Sequence, residues 1–396
     1  MRQILTLVAL LGVVSPLSAQ DFDYTLPIEE HVFENGLRLL VMHRADDPRV
    51  AAKIFTDFGA IVEEPGELGA AHYLEHLMFK GTQTMGTTNW EAEEPLIEAL
   101  FATELELEEA LNAARNDIRE RGVWGDYKHS ESTPRIDSLQ AEIARIDAEI
   151  AQYRDNGVTM RWYQAFGGTG LTATTEQEYM KFDINLPAER VGLFLRVEAD
   201  RMRNTVFREF DEERMILVEQ RLGDLNGPAT PYYEQMAGLT GLVHPVFWPE
   251  GYMTDFGEYS RWYQKDLYDR YFQPNNTTLV FIGGVTLEEM IPQVDRYFGW
   301  MERVPEPTRA RAVEPPPASE RSLTYRSDDL PPRVEVRHMI PGVGHPDRPH
   351  FDVVGEVLTI QLERALEEAG ITASVSVNTR VVHTSRFGVP GSINVE

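Results

Sequence analysis

The 396-residue sequence predicts an α+β protein with two domains, because extended apolar segments and helical patterns recur along most of the chain. Three observations support this prediction. Asn35-Gly36 separates two apolar runs, which is a strong signal for a β-hairpin. A long stripe of helical periodicity occupies the region of residues 95–160. Beyond Tyr259, helix and strand patterns occur a second time, and the length exceeds that of one typical domain.

The first twenty residues have the three parts of a secretory signal peptide. Arg2 gives a positive start, residues 4–14 are apolar, and small residues lead to Ala19 and Gln20, where we expect cleavage. The apolar run is too short to span a bilayer permanently, and a buried N-terminal helix is the alternative. We therefore predict a signal peptide at residues 1–20, a periplasmic or secreted bacterial protein, and no membrane span after cleavage.

The composition excludes several classes of function. A formal net charge of −27 argues against a nucleic-acid partner, because phosphate backbones require basic patches. The sequence contains no cysteine, which excludes thiol catalysis and a disulfide framework.

The elements of the N-terminal region follow in order. Residues 37–42 and 50–58 have extended apolar patterns and are predicted to be strands. Residues 59–69 are spaced by glycines and are predicted to form a loop. A helix then begins near Ala70 and carries residues 72–79.

The region of about residues 95–160 is predicted to be a helical hairpin. Its two stripes are spaced by three and four residues, with a polar stretch between them. The stronger stripe comprises Ile136, Leu139, Ile143, Ile146, Ile150 and Tyr153, and the weaker one Leu100, Leu107, Leu111, Ala114 and Ile118. We expect a projecting pair of antiparallel helices whose acidic outer positions are solvated, and we regard partner binding as the less favoured alternative.

The remaining elements complete the predicted organisation. Residues 187–203 and 209–222 are predicted helices, and residues 278–282 a strand of the second unit. We place the first domain at residues 21–255 and the second at residues 256–396. The second domain is expected to be incomplete, because the chain stops directly after a strand-like segment.

The pentapeptide His72-Tyr73-Leu74-Glu75-His76 carries the clearest chemical signal. Residues four apart share one face of a helix, so two imidazoles are presented to one point, and such a pair suits zinc. Glu75 can lie beside the open position of the metal and take a proton from water there. The alternative is a buried helix whose histidines are satisfied by neighbours, although that burial is costly without a metal or full pairing.

A catalytic zinc site typically needs a third protein ligand. The acidic helix at residues 209–222 offers Glu212 and Glu219, which are seven residues apart and share a face. One could bind the metal while the other orients a ligand, and spacing alone does not choose between them. Without the histidine pair, a solvent-facing charged helix would be the simpler interpretation.

Several segments resemble the pitrilysin/insulinase family of metallopeptidases, which includes the mitochondrial processing peptidases. "HYLEH" followed by "LMFKGT" resembles its metal motif, and "EERMILVEQ" its second motif. "HPVFWPEGYMTDF" and "YFQPNNTTLVFIGGV" are similar to later segments of its N-terminal half. The resemblance implies Zn²⁺ as cofactor, His72, His76 and Glu219 as ligands, and Glu212 in support. It also implies two homologous α/β domains with mainly antiparallel sheets flanked by helices, and a hairpin insertion before the metal glutamate.

The resemblance further implies a zinc-dependent endopeptidase for peptides or unfolded segments, with Glu75 as the catalytic base. An extended substrate is expected to add as a strand to the edge of the first sheet. Thr172 stands where the family often has a substrate-positioning Asn, so that contact is not expected here. Family members work as two halves, so a second half or subunit is expected for full activity. The alternative is a non-catalytic or partner-dependent subunit that binds peptides.

Overall fold

The computed structural model describes residues 25–64, 66–122, 132–240, 250–257, 259–307, 318–340, 345–380 and 391–395. The predicted signal peptide at residues 1–20 lies outside the described residues.

Strands and helices alternate along the described chain. The strands are β1 Glu29–Val32, β2 Arg38–His43, β3 Arg49–Thr56, β4 Thr169–Thr175, β5 Met180–Pro187, β6 Thr277–Gly283, β7 Val336–Ile340, β8 Val377–Arg380 and β9 Gly391–Val395. The α-helices are α1 Ala70–Met78, α2 Trp90–Glu120, α3 Pro134–Ile150, α4 Val158–Ala165, α5 Val191–Asn204, α6 Phe210–Leu225, α7 Thr230–Thr240, α8 Arg261–Tyr271, α9 Leu287–Phe298 and α10 Arg348–Glu368.

A six-stranded sheet in the order β1-β2-β6-β3-β5-β4 forms the centre of the first unit. All neighbouring strands are antiparallel except β2 and β6. In β3 each second residue is buried, because alternate side chains of a strand point to opposite faces of the sheet. Strand β4 pairs only with β5 among the described strands and is therefore an edge of this sheet.

The predicted hairpin at Asn35-Gly36 joins β1 to β2 and is confirmed. Gly36 has a φ of +87°, which lies in the left-handed region that glycine adopts readily. The Asn35 amide donates hydrogen bonds to the carbonyls of Phe298 and Met301, which ties the turn to the end of α9.

Strand β6 lies between β2 and β3, near the middle of the first sheet. Leu267 of α8 and Met290 of α9 are buried in the same core as this sheet. The first folded unit therefore extends beyond the predicted boundary between residues 255 and 256, at least to Met301. The sequence pattern had suggested a new unit because it shows strand order along the chain and not strand order within a sheet.

The predicted helical hairpin is present as α2 and α3, which pack against each other. Its helices cover Trp90–Glu120 and Pro134–Ile150, so it begins and ends earlier than the predicted limits of about 95 and 160. The seam is buried as the heptad pattern requires, at Leu100, Ile118, Ile136, Leu139, Ile146 and Ile150.

The strands β7, β9 and β8 form a smaller antiparallel sheet, and α10 packs against β8. The α+β fold class is confirmed. Among the helices that the structure describes, none is long and apolar enough to cross a bilayer.

Candidate metal centre and active site

The helix that carries the histidine pair is anchored at its first turn by a buried carboxylate. Helix α1 begins after Gly69, which has a φ of +99° and provides no side-chain cap. Glu63 supplies the missing acceptor, because its two oxygens receive hydrogen bonds from the backbone nitrogens of Gly69 at 2.8 Å and Ala71 at 2.7 Å. Burial raises the pKa of Glu63 to about 8, although these two hydrogen bonds oppose the shift.

His72 and His76 converge as the sequence predicts. Their Nε2 atoms lie 3.2 Å apart on one face of α1. Two nitrogens bound to one tetrahedral zinc at ordinary distances would be about 3.4 Å apart, so the pair fits the metal. Burial, and then the neighbouring charge of His76, lower the pKa of His72 to about 4. His72 is therefore neutral at pH 7, which is the state that binds a metal.

His76 is oriented from behind by Glu213 of α6. Its Nδ1 atom lies 2.9 Å from the Oε2 atom of Glu213, and Lys80 makes an ion pair of 2.5 Å with the other oxygen. Burial opposes the ionisation of Glu213, but hydrogen bonds from His76 and Lys80 outweigh it and lower its pKa. Metal-binding histidines commonly have such a carboxylate on the second ring nitrogen.

The sequence did not identify Glu213. Glu212, which was predicted for a supporting role, is exposed and forms an ion pair of 2.8 Å with Arg154. Acidic residues follow one another at 211–213, so the pattern fixes the helix but leaves its rotation about its axis open. The histidine contact is the signal that separates Glu213 from its neighbours, and only the folded chain contains it. The supporting role of Glu212 stays a prediction.

Glu75 lies on α1 between the two histidines and is buried, with 8% of its surface exposed. The hydroxyl of Thr175, at the end of β4, donates a hydrogen bond of 2.6 Å to its Oε2 atom. Burial raises the pKa of Glu75, and the Thr175 hydrogen bond and the charge of His76 partly offset this effect. A carboxylate in this setting is a stronger base than one in water once it is ionised.

Glu219 is not brought to the histidine pair in this structure. Its side chain is exposed on α6, and it lies about 120° around the helix axis from Glu213 at 100° per residue. Among the described residues, no group of three His, Asp or Glu side chains is arranged to hold a metal. Two nitrogens and an orienting carboxylate therefore fit zinc, while Glu219 as the third ligand stays a prediction.

A cavity of about 330 Å³ opens beside this cluster. Its lining includes Lys80 and Glu209 next to the His76 contact, Phe79 after α1, and Leu171 of the edge strand β4. The histidine pair and Glu75 therefore lie beside an open cavity. The edge strand β4, which can accept an extended chain, borders the same cavity.

Two family profiles match the sequence. The profile for insulinase (peptidase family M16) matches residues 38–94, which include His72, Glu75 and His76. The profile for the peptidase M16 inactive domain matches residues 265–389. Neither match includes α6.

Curated relatives are named as zinc proteases. The chain is 39% identical over 88 residues to the probable zinc protease PqqL of Escherichia coli, which is 20% of this chain and 9% of PqqL. It is 23% identical over 201 residues to the zinc protease PqqE of Helicobacter pylori, which is 49% of this chain and 45% of PqqE. The chain thus spans less than half of the length of these relatives.

Solved structures share the fold. A protease from Helicobacter pylori superposes with a TM-score of 0.66 and 16% identity, over 94% of this chain and 74% of that one. The first half of the periplasmic protease PqqL from Escherichia coli gives a TM-score of 0.59 and 13% identity, over 93% and 67%. Against the whole of PqqL the chain covers 34%, which is consistent with a two-half arrangement. The two profiles and the curated zinc proteases are similar to this chain within the pitrilysin/insulinase family, peptidase family M16, and together with the shared fold they support an N-terminal half of that family.

Proposed function

We propose that this protein is a zinc-dependent endopeptidase that hydrolyses peptides or unfolded protein segments. The observation that supports the proposal most directly is the approach of the His72 and His76 Nε2 atoms to 3.2 Å beside the buried carboxylate of Glu75. Zinc protease relatives and the family profile over residues 38–94 agree with it.

In this proposal His72, His76 and Glu219 hold the ion, and Glu213 orients His76 through Nδ1. Glu219 would have to reach the pair by a change in its side chain, because a rotation of α6 about its axis would withdraw Glu213 from His76. Zinc, when bound, would polarise the scissile carbonyl and make water more acidic.

The residues of the chain supply the other steps. Glu75 removes the proton from the attacking water, and Thr175 holds one of its oxygens so that the other remains available. The substrate adds as an extended strand along β4, whose outer edge has no partner among the described strands. Recognition of this kind reads the substrate backbone more than its side chains.

We further propose that the protein works in the bacterial periplasm or outside the cell, after removal of residues 1–20. The periplasmic protease PqqL shares its fold, which is consistent with this location. N-terminal sequencing of the exported protein tests the cleavage, and an intact Met1 on protein recovered from the periplasm would contradict it.

A second candidate is a non-catalytic or partner-dependent subunit that binds peptides. Two observations favour this candidate. Residues 265–389 match the profile of an inactive peptidase domain, and the chain matches only part of the length of its curated relatives. Full activity would then require a second half or a separate subunit.

One set of variants separates these functions. Glu75→Gln keeps the shape of the side chain and should abolish cleavage of a quenched peptide while zinc stoichiometry stays at one per chain. His72→Ala should lose the zinc. Each protein is assayed alone and with candidate partner chains. Near wild-type cleavage by Glu75→Gln would disprove the mechanism, and zinc binding without cleavage in every combination would support the non-catalytic subunit.

A further inference from the structure

The start of α6 is fixed by an arginine that is almost completely buried. The guanidinium of Arg208 is 1% exposed, and it makes a two-pronged contact with Glu93 of α2 at 2.6 and 2.9 Å. Glu93 is also buried, with 0% of its side chain exposed. A buried pair of this kind requires partners for its remaining donors.

Those partners come from the loop that leaves α1. The Nη1 atom of Arg208 lies 3.0 Å from the carbonyl oxygen of Thr82, and 3.4 Å from those of Lys80 and Met85. Gly81 has a φ of +100°, and a Cβ atom there would come within 2.3 Å of the Met85 carbonyl oxygen. The loop thus folds tightly enough to turn three carbonyls towards one guanidinium.

The residue after Arg208 begins the contacts that lead to His76. Glu209 has a φ of +55°, and among the described residues it is the only one other than glycine with a positive φ. It makes an ion pair of 3.0 Å with Lys80, and one turn later Glu213 binds both Lys80 and His76. Arg208 therefore connects the loop after α1 to the hairpin helix α2, and it does so two residues before α6 begins. These contacts lie where the rotation of α6 about its axis is set.

We propose that Glu93 and Arg208 are positioning residues that set α6 against α1, so that the hairpin insertion supports the metal centre and is not merely tolerated beside it. This inference rests on the proposed zinc function. Neither residue touches the metal or the substrate. Their effect is transmitted through Glu209 and Glu213 to His76.

The test is Glu93→Gln, which keeps the shape of the side chain and leaves Arg208 buried without a counter-charge. Zinc affinity, measured by competition with a chromogenic chelator, should fall about tenfold, as expected when the support of a metal-binding histidine is disturbed. In the metal-free protein labelled with ¹⁵N-histidine, the hydrogen-bonded Nδ1–H signal of His76 should be lost. Glu93→Asp keeps the charge but shortens the side chain by one methylene group. If Glu93→Gln does not fold, zinc affinity and the His76 signal are measured in Glu93→Asp instead.

The matched control is Glu335→Gln. Glu335 is also a buried carboxylate, with 2% of its side chain exposed, and it pairs with Arg337 of β7 at 2.7 Å. Its other partners are Arg333 and Tyr232 of α7, so none of these contacts involves α1, α2 or the first turn of α6. Both variants should lower the melting temperature, while only Glu93→Gln should lower zinc affinity and remove the His76 signal.

Two results would overturn the inference. The first is wild-type zinc affinity and an intact His76 signal in a destabilised Glu93→Gln. The second is an equal loss of zinc affinity and of the His76 signal in Glu335→Gln. If the wild-type protein shows the His76 signal but binds no zinc, the proposed function fails, and the signal in Glu93→Gln still decides the positioning role.

Discussion

Replacement of Glu213 by glutamine should weaken zinc binding by about 10- to 100-fold. The carboxylate is 3% exposed and accepts from His76 Nδ1 at 2.9 Å, so this is a buried hydrogen bond to a charged group. Such hydrogen bonds contribute about 1.5–3 kcal/mol. Since about 1.4 kcal/mol changes an affinity tenfold, this energy corresponds to a loss of zinc affinity of roughly 10- to 100-fold. The amide can still accept one hydrogen bond, so the smaller half of the range is expected. Lys80 keeps Glu209 as a partner at 3.0 Å and does not become an isolated charge.

The assay is competition for zinc with a chelator of known affinity, at a pH at which His72 is neutral. Glu212→Gln is the matched control, because it changes the adjacent carboxylate of the same helix, whose partner is Arg154 and not a histidine. We expect wild-type affinity for this control. If Glu212→Gln loses as much affinity as Glu213→Gln, or more, the helix is rotated differently in the metal-bound protein and the reasoning from the His76 contact is refuted.

Three further predictions concern pH and packing. Thr175→Val removes the hydroxyl that lowers the pKa of Glu75, so the acidic limb of kcat/KM should move to higher pH, and a move to lower pH would contradict the assigned contact. Glu63 has a folded-state pKa of about 8 against 4.5 for the unfolded chain, so its contribution to stability should decrease as pH rises from 4.5 to 8. Glu63→Gln should flatten the dependence of melting temperature on pH in that window, and an unchanged slope would count against the assignment. Ile146→Ala opens a cavity in the α2–α3 seam and should cost about 2–5 kcal/mol by chemical denaturation, whereas the exposed Glu142→Ala should cost little.

Local patterns predicted most of the elements. The Asn35-Gly36 turn, the seam of the helical hairpin and the helix that carries His72 and His76 all depend on residues within one or two turns of each other. Interactions over such short separations are set by periodicity and turn chemistry, which a sequence displays directly. The convergence of the two Nε2 atoms belongs to the same class, because both rings lie on one helix.

Long-range pairing could not be predicted in the same way. Strand β6 was recognised as a strand, but its place between β2 and β3 depends on contacts with residues more than 200 positions earlier. The hydrogen bond between Thr175 and Glu75 similarly joins residues 100 positions apart. Local patterns in a single sequence do not specify which distant segments pair. The domain boundary predicted at residue 255 therefore followed the order of elements along the chain, whereas β6 pairs with strands from the start of the chain.

The rotation of α6 shows why a metal site is harder to predict than the elements that build it. Glu212 and Glu219 share a face by spacing, and the family resemblance assigns Glu219 to the metal and Glu212 to a supporting role, yet the face turned to His76 in this structure is that of Glu213. A rotation of about 100–120° separates the two arrangements, because around the helix axis Glu212 lies about 100° and Glu219 about 120° from Glu213. Contacts with residues outside the helix determine this angle. Arg208 is fixed just before the first turn, Lys80 pairs with Glu209 beside it, and Arg154 pairs with Glu212 on the outer side. Two of these contacts involve residues of the insertion or next to it, since Glu93 pairs with Arg208 and Arg154 follows α3. We therefore expect the third ligand to depend both on the motif and on the inserted hairpin, and zinc affinities of Glu213, Glu219 and Glu93 variants measured together would show how much each contributes.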